Sequence, residues 1–147
     1  MMKISPVKVV LGAIAYLIIA QVMHTVSSML TMSYYMDSNY YAVWSKIMMP
    51  AAGAPPMSFY YYSLTFGFVI GVIFSAIYSK RRETFKGDFV HKGLMYGSGL
   101  FLVVGIPFFL TTYLMINLPL SLLIYWLLID GLLTYLLGGI AIAWLNK

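Results

Sequence analysis

Apolar positions gather into four long runs separated by short polar stretches, and this alternation organises the whole chain. The runs extend from about Val7 to Thr31, Met57 to Tyr78, Val90 to Ile116 and Leu118 to Leu145. Crossing a hydrocarbon layer of ~30 Å takes roughly 20 apolar residues in a helix, and each run meets that length. Between the last two, Asn117-Leu118-Pro119 sets a turn former beside a proline suited to the first position of a new helix. The pattern predicts an all-α polytopic membrane protein, with four transmembrane helices in an antiparallel bundle and a single domain over residues 1–147. The last two helices form a tight hairpin, and the other connections fall at 33–56 and 79–89.

The first connection carries a pattern of its own. Tyr40, Tyr41, Trp44, Ile47 and Met48 recur at helical spacing, with Ser38, Asn39, Ser45 and Lys46 largely opposite. Asp37 or Ser38 suits the N-cap. A short interfacial helix is therefore expected, followed by an irregular stretch from Pro50 to Pro56. Tyr34, Tyr35, Tyr60, Tyr61 and Tyr62 crowd the same boundary, where an aromatic ring gains from having one edge wet and the other apolar.

Composition narrows the class. Hydrophobic residues make up 62% and charged residues 9%, whereas a soluble globule is about a quarter charged. An ordinary soluble enzyme is excluded, and so is a disordered chain, which would be poor in apolar residues. The absence of cysteine excludes thiolate nucleophiles, disulfide relays and Cys-ligated zinc or iron–sulfur centres. A net charge of +5 would suggest nucleic acid in a soluble protein, but here the placement of the charges matters more than their sum.

Lys3, Lys8, Lys80, Arg81, Arg82, Lys86, Lys92 and Lys147 fall on one side of the runs and only Lys46 on the other. The positive-inside bias predicts a multi-pass protein of the cell membrane, with both termini and the 79–89 loop cytoplasmic and the 33–56 loop outside. The basic start and apolar core resemble a signal peptide, yet no small-residue cleavage site follows, so the first helix is expected to be retained. Membrane lipid is the expected partner and nucleic acid is not. The loop cations suit anionic headgroups, with Phe85 and Phe89 dipping into the interface.

Helices in lipid gain little from hydrophobicity and associate through close backbone contact. Gly67, Gly71 and Ser75 form one small-residue face, Gly93 and Gly97 another, and Gly139 with Ala143 a third. Gly105 with Pro107 predicts a kink, because Pro107 leaves the Val103 carbonyl without its helical donor. These faces suit contacts within the bundle as well as a homo-oligomer or a larger membrane complex, and the spacing leaves both open.

Asp130 is the only acid inside a run, which makes it a functional-site candidate by default. Counting from Pro119 at ~1.5 Å per residue places it ~16 Å deep, and counting from Tyr34 places His24 at ~15 Å. Gln21 lies one turn deeper, Thr25, Ser28 and Thr31 continue a polar stripe outward, and Thr134 sits one turn below Asp130. A protonated His24 stabilises an ionised Asp130 if the two meet. Two readings follow: a ligand or proton site open from the outer side, or a hydrogen-bonded clasp between the first and fourth helices.

Met29, Met32 and Met36 share a face above His24, and thioethers select Cu(I). Methionine is also a routine filler of apolar contacts, so neither a metal nor another cofactor is expected. His91, beside Lys92, reads as solvated. No Walker loop, nucleophile elbow, HExxH or paired-carboxylate spacing occurs, which favours a non-enzymatic role.

The passage Lys92-Gly93-Leu94-Met95-Tyr96-Gly97, followed by Gly105-Ile106-Pro107 and a closing Gly138-Gly139 helix, resembles small prokaryotic four-helix integral membrane proteins grouped in families of unknown function. The second half carries most of this resemblance, which implies the architecture and no activity. A buried acid in a four-span chain is also similar to the small multidrug resistance exporters, although here the acid lies in the fourth span and not the first. The sequence points to a small integral membrane protein that binds or transports a small molecule or ion at a mid-membrane polar site. The alternative is a non-catalytic structural, lipid-binding or pigment-binding subunit of a membrane complex.

Overall fold

The computed structural model describes residues 5–44, 47–49 and 54–147. Lys3, Ser45, Lys46 and Pro50 lie outside the described residues, as does the Tyr41 side chain. Among the described residues, four helices are long and apolar enough to cross a membrane: Pro6–Leu30, Met57–Thr84, Phe89–Met115 and Leu120–Leu145. Each starts and ends within a few residues of its apolar run, apart from the second, which continues past Tyr78 into the basic segment.

The first span is α1 (Pro6–Leu30), opened by a proline where the missing N–H would be unsatisfied anyway. A short α2 (Met32–Met36) follows, then a 3-10 turn over Ser38–Val43 in which Asp37 accepts from the Asn39 N–H at 2.9 Å. The second span is α3 (Met57–Arg81), which ends on Lys80 and Arg81, charges that complement the carbonyl end of the helix dipole. Asp88 caps α4 (Phe89–Leu100) by accepting from the His91 N–H at 2.8 Å.

The third span continues from α4 through a π-helical turn, Phe101–Gly105, into α5 (Ile106–Met115). The fourth is α6 (Leu120–Tyr125), a π-helical stretch over Trp126–Leu133, and α7 (Thr134–Leu145). The distortion expected at Gly105 and Pro107 thus takes the form of a widened turn. The Ile106 N–H reaches back to the Phe101 carbonyl, the five-residue bond of a π-turn, just before the proline that has no N–H to offer.

The most extensive contact joins α4 to α7, followed by α1 to α3 and α1 to α7. The order across the bundle is therefore second, first, fourth and third span. Close approach at glycine makes the contacts possible. A Cβ on Gly93 would lie 2.4 Å from Ile140 Cα, one on Gly97 2.3 Å from the Tyr135 carbonyl oxygen, and one on Gly139 2.4 Å from the Gly93 carbonyl oxygen. On α3 a Cβ at Gly71 would lie 2.7 Å from the Ala13 carbonyl oxygen. Small-residue faces on the second, third and fourth spans are thus occupied inside the chain. Gly67 and Gly105 differ in kind, since they face the Leu17 side chain and the Phe101 and Tyr135 rings.

At the end holding both termini, Tyr16, Phe74, Tyr78, Tyr96, Ile142 and Ala143 form a buried cluster. The Tyr96 hydroxyl donates to the Phe74 carbonyl at 2.7 Å, which ties the third span to the second. Phe85, expected at the lipid interface, instead stacks on Tyr78 at 5.9 Å because the short connection turns it into this ring cluster. Buried Asn146 accepts from Ser79 Oγ at 2.7 Å through its side chain and from Arg82 at 3.0 Å through its carbonyl.

At the opposite end, the helix expected to reach Met48 stops at Val43, and Trp44 adopts extended backbone. Its ring then stacks on Tyr35 at 4.7 Å and approaches Trp126 at 6.1 Å. Tyr35 and Trp44 are buried against Leu118 and Leu122, not spread along the membrane boundary. Burying these rings against the fourth span outweighs the amphipathic helical spacing that predicted otherwise. Tyr60, Tyr61 and Tyr62 stay exposed, as a boundary belt requires.

Replacing Gly97 with alanine forces a methyl against backbone that has no room to yield, and a loss of about 1–3 kcal/mol is expected. Gly99→Ala, with nothing within 4 Å of its Cβ position, should leave stability unchanged or slightly higher. Thermal unfolding of the two detergent-purified variants checks this; equal melting temperatures would show that the α4–α7 contact is looser than described.

Candidate functional site

Contact between α1 and the fourth span brings two ionisable side chains together. His24 Nδ1 lies 3.0 Å from Asp130 Oδ1, with the imidazole donating and the carboxylate accepting. The Asp130 side chain is 19% exposed and that of His24 is 41% exposed, so the histidine stands between the acid and open space. Asp130 Oδ2 is buried and has no hydrogen-bond partner among the described residues.

The shared level predicted for the pair is present, but the depth count needs correction. Helix α1 stops at Leu30, six residues past His24, whereas α6 starts ten residues before Asp130. At ~1.5 Å per residue the fourth span therefore outreaches α1 by ~6 Å. That step is where α2 and the 3-10 turn sit. Tyr34 reaches across it to donate to Ser121 Oγ at 2.6 Å, in company with the Tyr35 and Trp44 rings.

Asp130 belongs to the π-helical stretch, a feature that the apolar pattern did not reveal. A π-turn replaces four-residue bonds with five-residue ones and leaves backbone carbonyls needing other donors. The Thr134 hydroxyl supplies one by donating to the Ile129 carbonyl at 3.1 Å. Thr134 is buried and so committed to the backbone; it does not extend the polar site as the one-turn spacing had implied. Gly131 lets the widened turn lie under the rings of Phe109 and Phe101, since a Cβ there would meet them at 2.7 and 3.1 Å. The third span packs on Gly131 while neighbouring Asp130 faces α1.

Gln21 donates from Nε2 to Ser63 Oγ at 3.0 Å, which bridges α1 to α3 through a partner that sequence reasoning did not name. The Thr25 hydroxyl donates to the Gln21 carbonyl at 2.8 Å. Gln21, His24, Thr25 and Ser28 all line one cavity of about 560 Å³ at the loop end, between α1, α3 and the connection. Met29, Met32 and Met36 line it too, joined by Met48 and Met49 from the connection and by Tyr35, Phe59, Tyr60 and Ser63. Asp130 does not line it. Burial pushes the Tyr35 phenol above its ordinary range, and the nearby Asp130 carboxylate adds to this.

At the other end a smaller cavity of about 320 Å³ is lined by Arg82, Lys92 and Lys147 together with Glu83, Tyr78 and Phe89. His91 is exposed, in keeping with a solvated side chain. No protein-family model, curated protein or solved structure matches the chain. Its functional reading therefore rests on the geometry of these sites.

Removing either member of the His24–Asp130 pair should cost roughly 1 kcal/mol, the scale of interhelical polar contacts within membranes. A double-mutant cycle of His24→Ala and Asp130→Ala, read by reversible unfolding, should return a coupling energy of about 0.6–1.7 kcal/mol. A coupling near zero would remove the contact from the account.

Proposed function

We propose that this chain is a cell-membrane protein that admits a small molecule or ion from the outer side to a polar site at the level of His24 and Asp130. The observation that supports this most directly is the position of the pair. A half-exposed histidine lines a 560 Å³ cavity, and a mostly buried carboxylate holds its Nδ1. An acid in a membrane-spanning helix is costly and tends to serve ion or proton handling. The size of the cavity and its few polar groups, set among apolar and aromatic walls, suit a ligand site.

Sidedness comes from charge. Lys8, Lys80, Arg81, Arg82, Lys86, Lys92 and Lys147 belong to the end that carries the termini, and the positive-inside bias puts that end in the cytoplasm. The cavity then faces outward, and the basic cavity of Arg82, Lys92 and Lys147 meets the headgroup layer of the inner leaflet. Asp130 acts as counter-ion or proton acceptor behind His24. The pair also braces α1 against the fourth span, so both original readings of the polar layer use one geometry.

The chain has no cysteine, which makes single-cysteine labelling in intact cells a clean test. Thr25→Cys and Ser28→Cys should react with a membrane-impermeant methanethiosulfonate reagent, and Val103→Cys, 76% exposed on the lipid side of the third span, should not. Ser28→Cys reacting no faster than Val103→Cys would overturn outer access, and labelling only in inverted vesicles would overturn the orientation.

A further inference from the structure

Five of the chain's 11 methionines line the loop-end cavity: Met29, Met32, Met36, Met48 and Met49. No described methionine is among the fully buried residues of the bundle, although Met48 and Met49 pack on one side against the Tyr35 and Trp44 cluster. Met29 is 70% exposed and Met36 61%. They come from two directions, three from α1 and α2 and two from the connection that folds over them.

His24 adds a nitrogen donor to the lining. Its Nδ1 is engaged by Asp130, which leaves Nε2 as the ring nitrogen for a ligand in the cavity that His24 lines. A carboxylate behind a histidine is the usual support of a metal-binding imidazole, since it fixes ring orientation and tautomer and raises the basicity of the other nitrogen. Among the described residues no three His, Cys, Asp or Glu side chains converge on a metal position. The cavity lining sets five thioethers and one imidazole beside neutral amide and hydroxyl oxygens and includes no carboxylate, a set that suits Cu(I) better than Mg²⁺, Ca²⁺ or Mn²⁺.

We infer that the cavity binds a soft monovalent metal ion, Cu(I), held by its thioethers and by His24 Nε2. The inference names the ligand class for the proposed outer-facing site and rests on that reading. Neutral thioethers leave the ion its full positive charge, and Asp130 one ring away supplies the compensating negative charge without ligating. Asp130 is on this account a positioning residue for His24. Helical side chains lean toward the N-terminus of their helix, so Met29 leans from its turn back toward the His24 level.

The test uses the full-length protein in nanodiscs, titrated with Ag(I) and, under reducing conditions, with Cu(I) against a chromophoric Cu(I) chelator. Without cysteine in the chain, tight binding has to come from thioether and imidazole groups. The expected result is binding of Ag(I) and Cu(I) but not of Zn(II) or Ca(II). In spectra of [methyl-13C]methionine-labelled protein, the cavity methionines should shift while Met95 and Met115 stay in place.

Met29→Leu with Met32→Leu and Met36→Leu, changes close in volume, should keep the fold and weaken Ag(I) binding at least tenfold. Asp130→Asn should weaken it by about 10–100-fold. Equal Ag(I) binding by wild type and the triple leucine variant, or no binding by wild type, would overturn the metal assignment. Cysteine labelling at Ser28 separates the two levels. If the cavity is reachable from outside and Ag(I) does not bind, the metal assignment alone falls; if it is not reachable, the outer-access reading falls with it.

Discussion

The structure depends on how closely α4 and α7 can approach. In lipid no hydrophobic force draws apolar helices together, so association rests on packing and on interhelical hydrogen bonds. Gly93, Gly97 and Gly139 let two backbones meet almost directly, and Gly71 does the same for α3 against Ala13 of α1. These contacts set the order of the four spans. With the third span on one side of the fourth and α1 on the other, Asp130 has one helix left to face, and His24 is on it.

The π-helical stretch in the fourth span is the local consequence of serving both neighbours. Gly131 accepts the Phe109 and Phe101 rings from the third span, and the next residue toward the loop end is the acid that meets α1. A regular helix would satisfy its own carbonyls; the widened turn does not, and the Thr134 hydroxyl makes good one of them at Ile129. Widened turns of this kind recur at functional sites, where they aim a side chain that regular geometry would point elsewhere.

The two ends of the bundle are packed differently. At the termini, Asn146, Ser79 and Arg82 are hydrogen-bonded across helices, beside a cluster of interlocked rings. At the loop end, α1 stops short of α6, and the connection fills the step against the fourth span while leaving a cavity against α3. His24 joins these features, since one ring nitrogen belongs to the helix contact and the ring itself lies on the cavity wall. The contact that braces α1 against the fourth span and the cavity lining therefore share a residue.

The four spans, the turn at Asn117 and the glycine faces were legible in the chain because each depends on local physics. Transfer of apolar residues into lipid, satisfaction of backbone groups within one helix, and the smallness of glycine do not require knowing the partner. The shared level of His24 and Asp130 could be counted for a related reason: helical rise is uniform enough to compare depths along two helices, even though α1 ends earlier than Tyr34 suggested. What depends on which faces meet could not be read that way. Ser63 as the partner of Gln21, the burial of Tyr35 and Trp44, the commitment of Thr134 to backbone, and the arrival of Met48 and Met49 beside Met29, Met32 and Met36 all require knowing how the helices rotate against each other. A π-turn shifts that rotation for every residue beyond it, and packing, not the propensity of any one residue, decides where it forms.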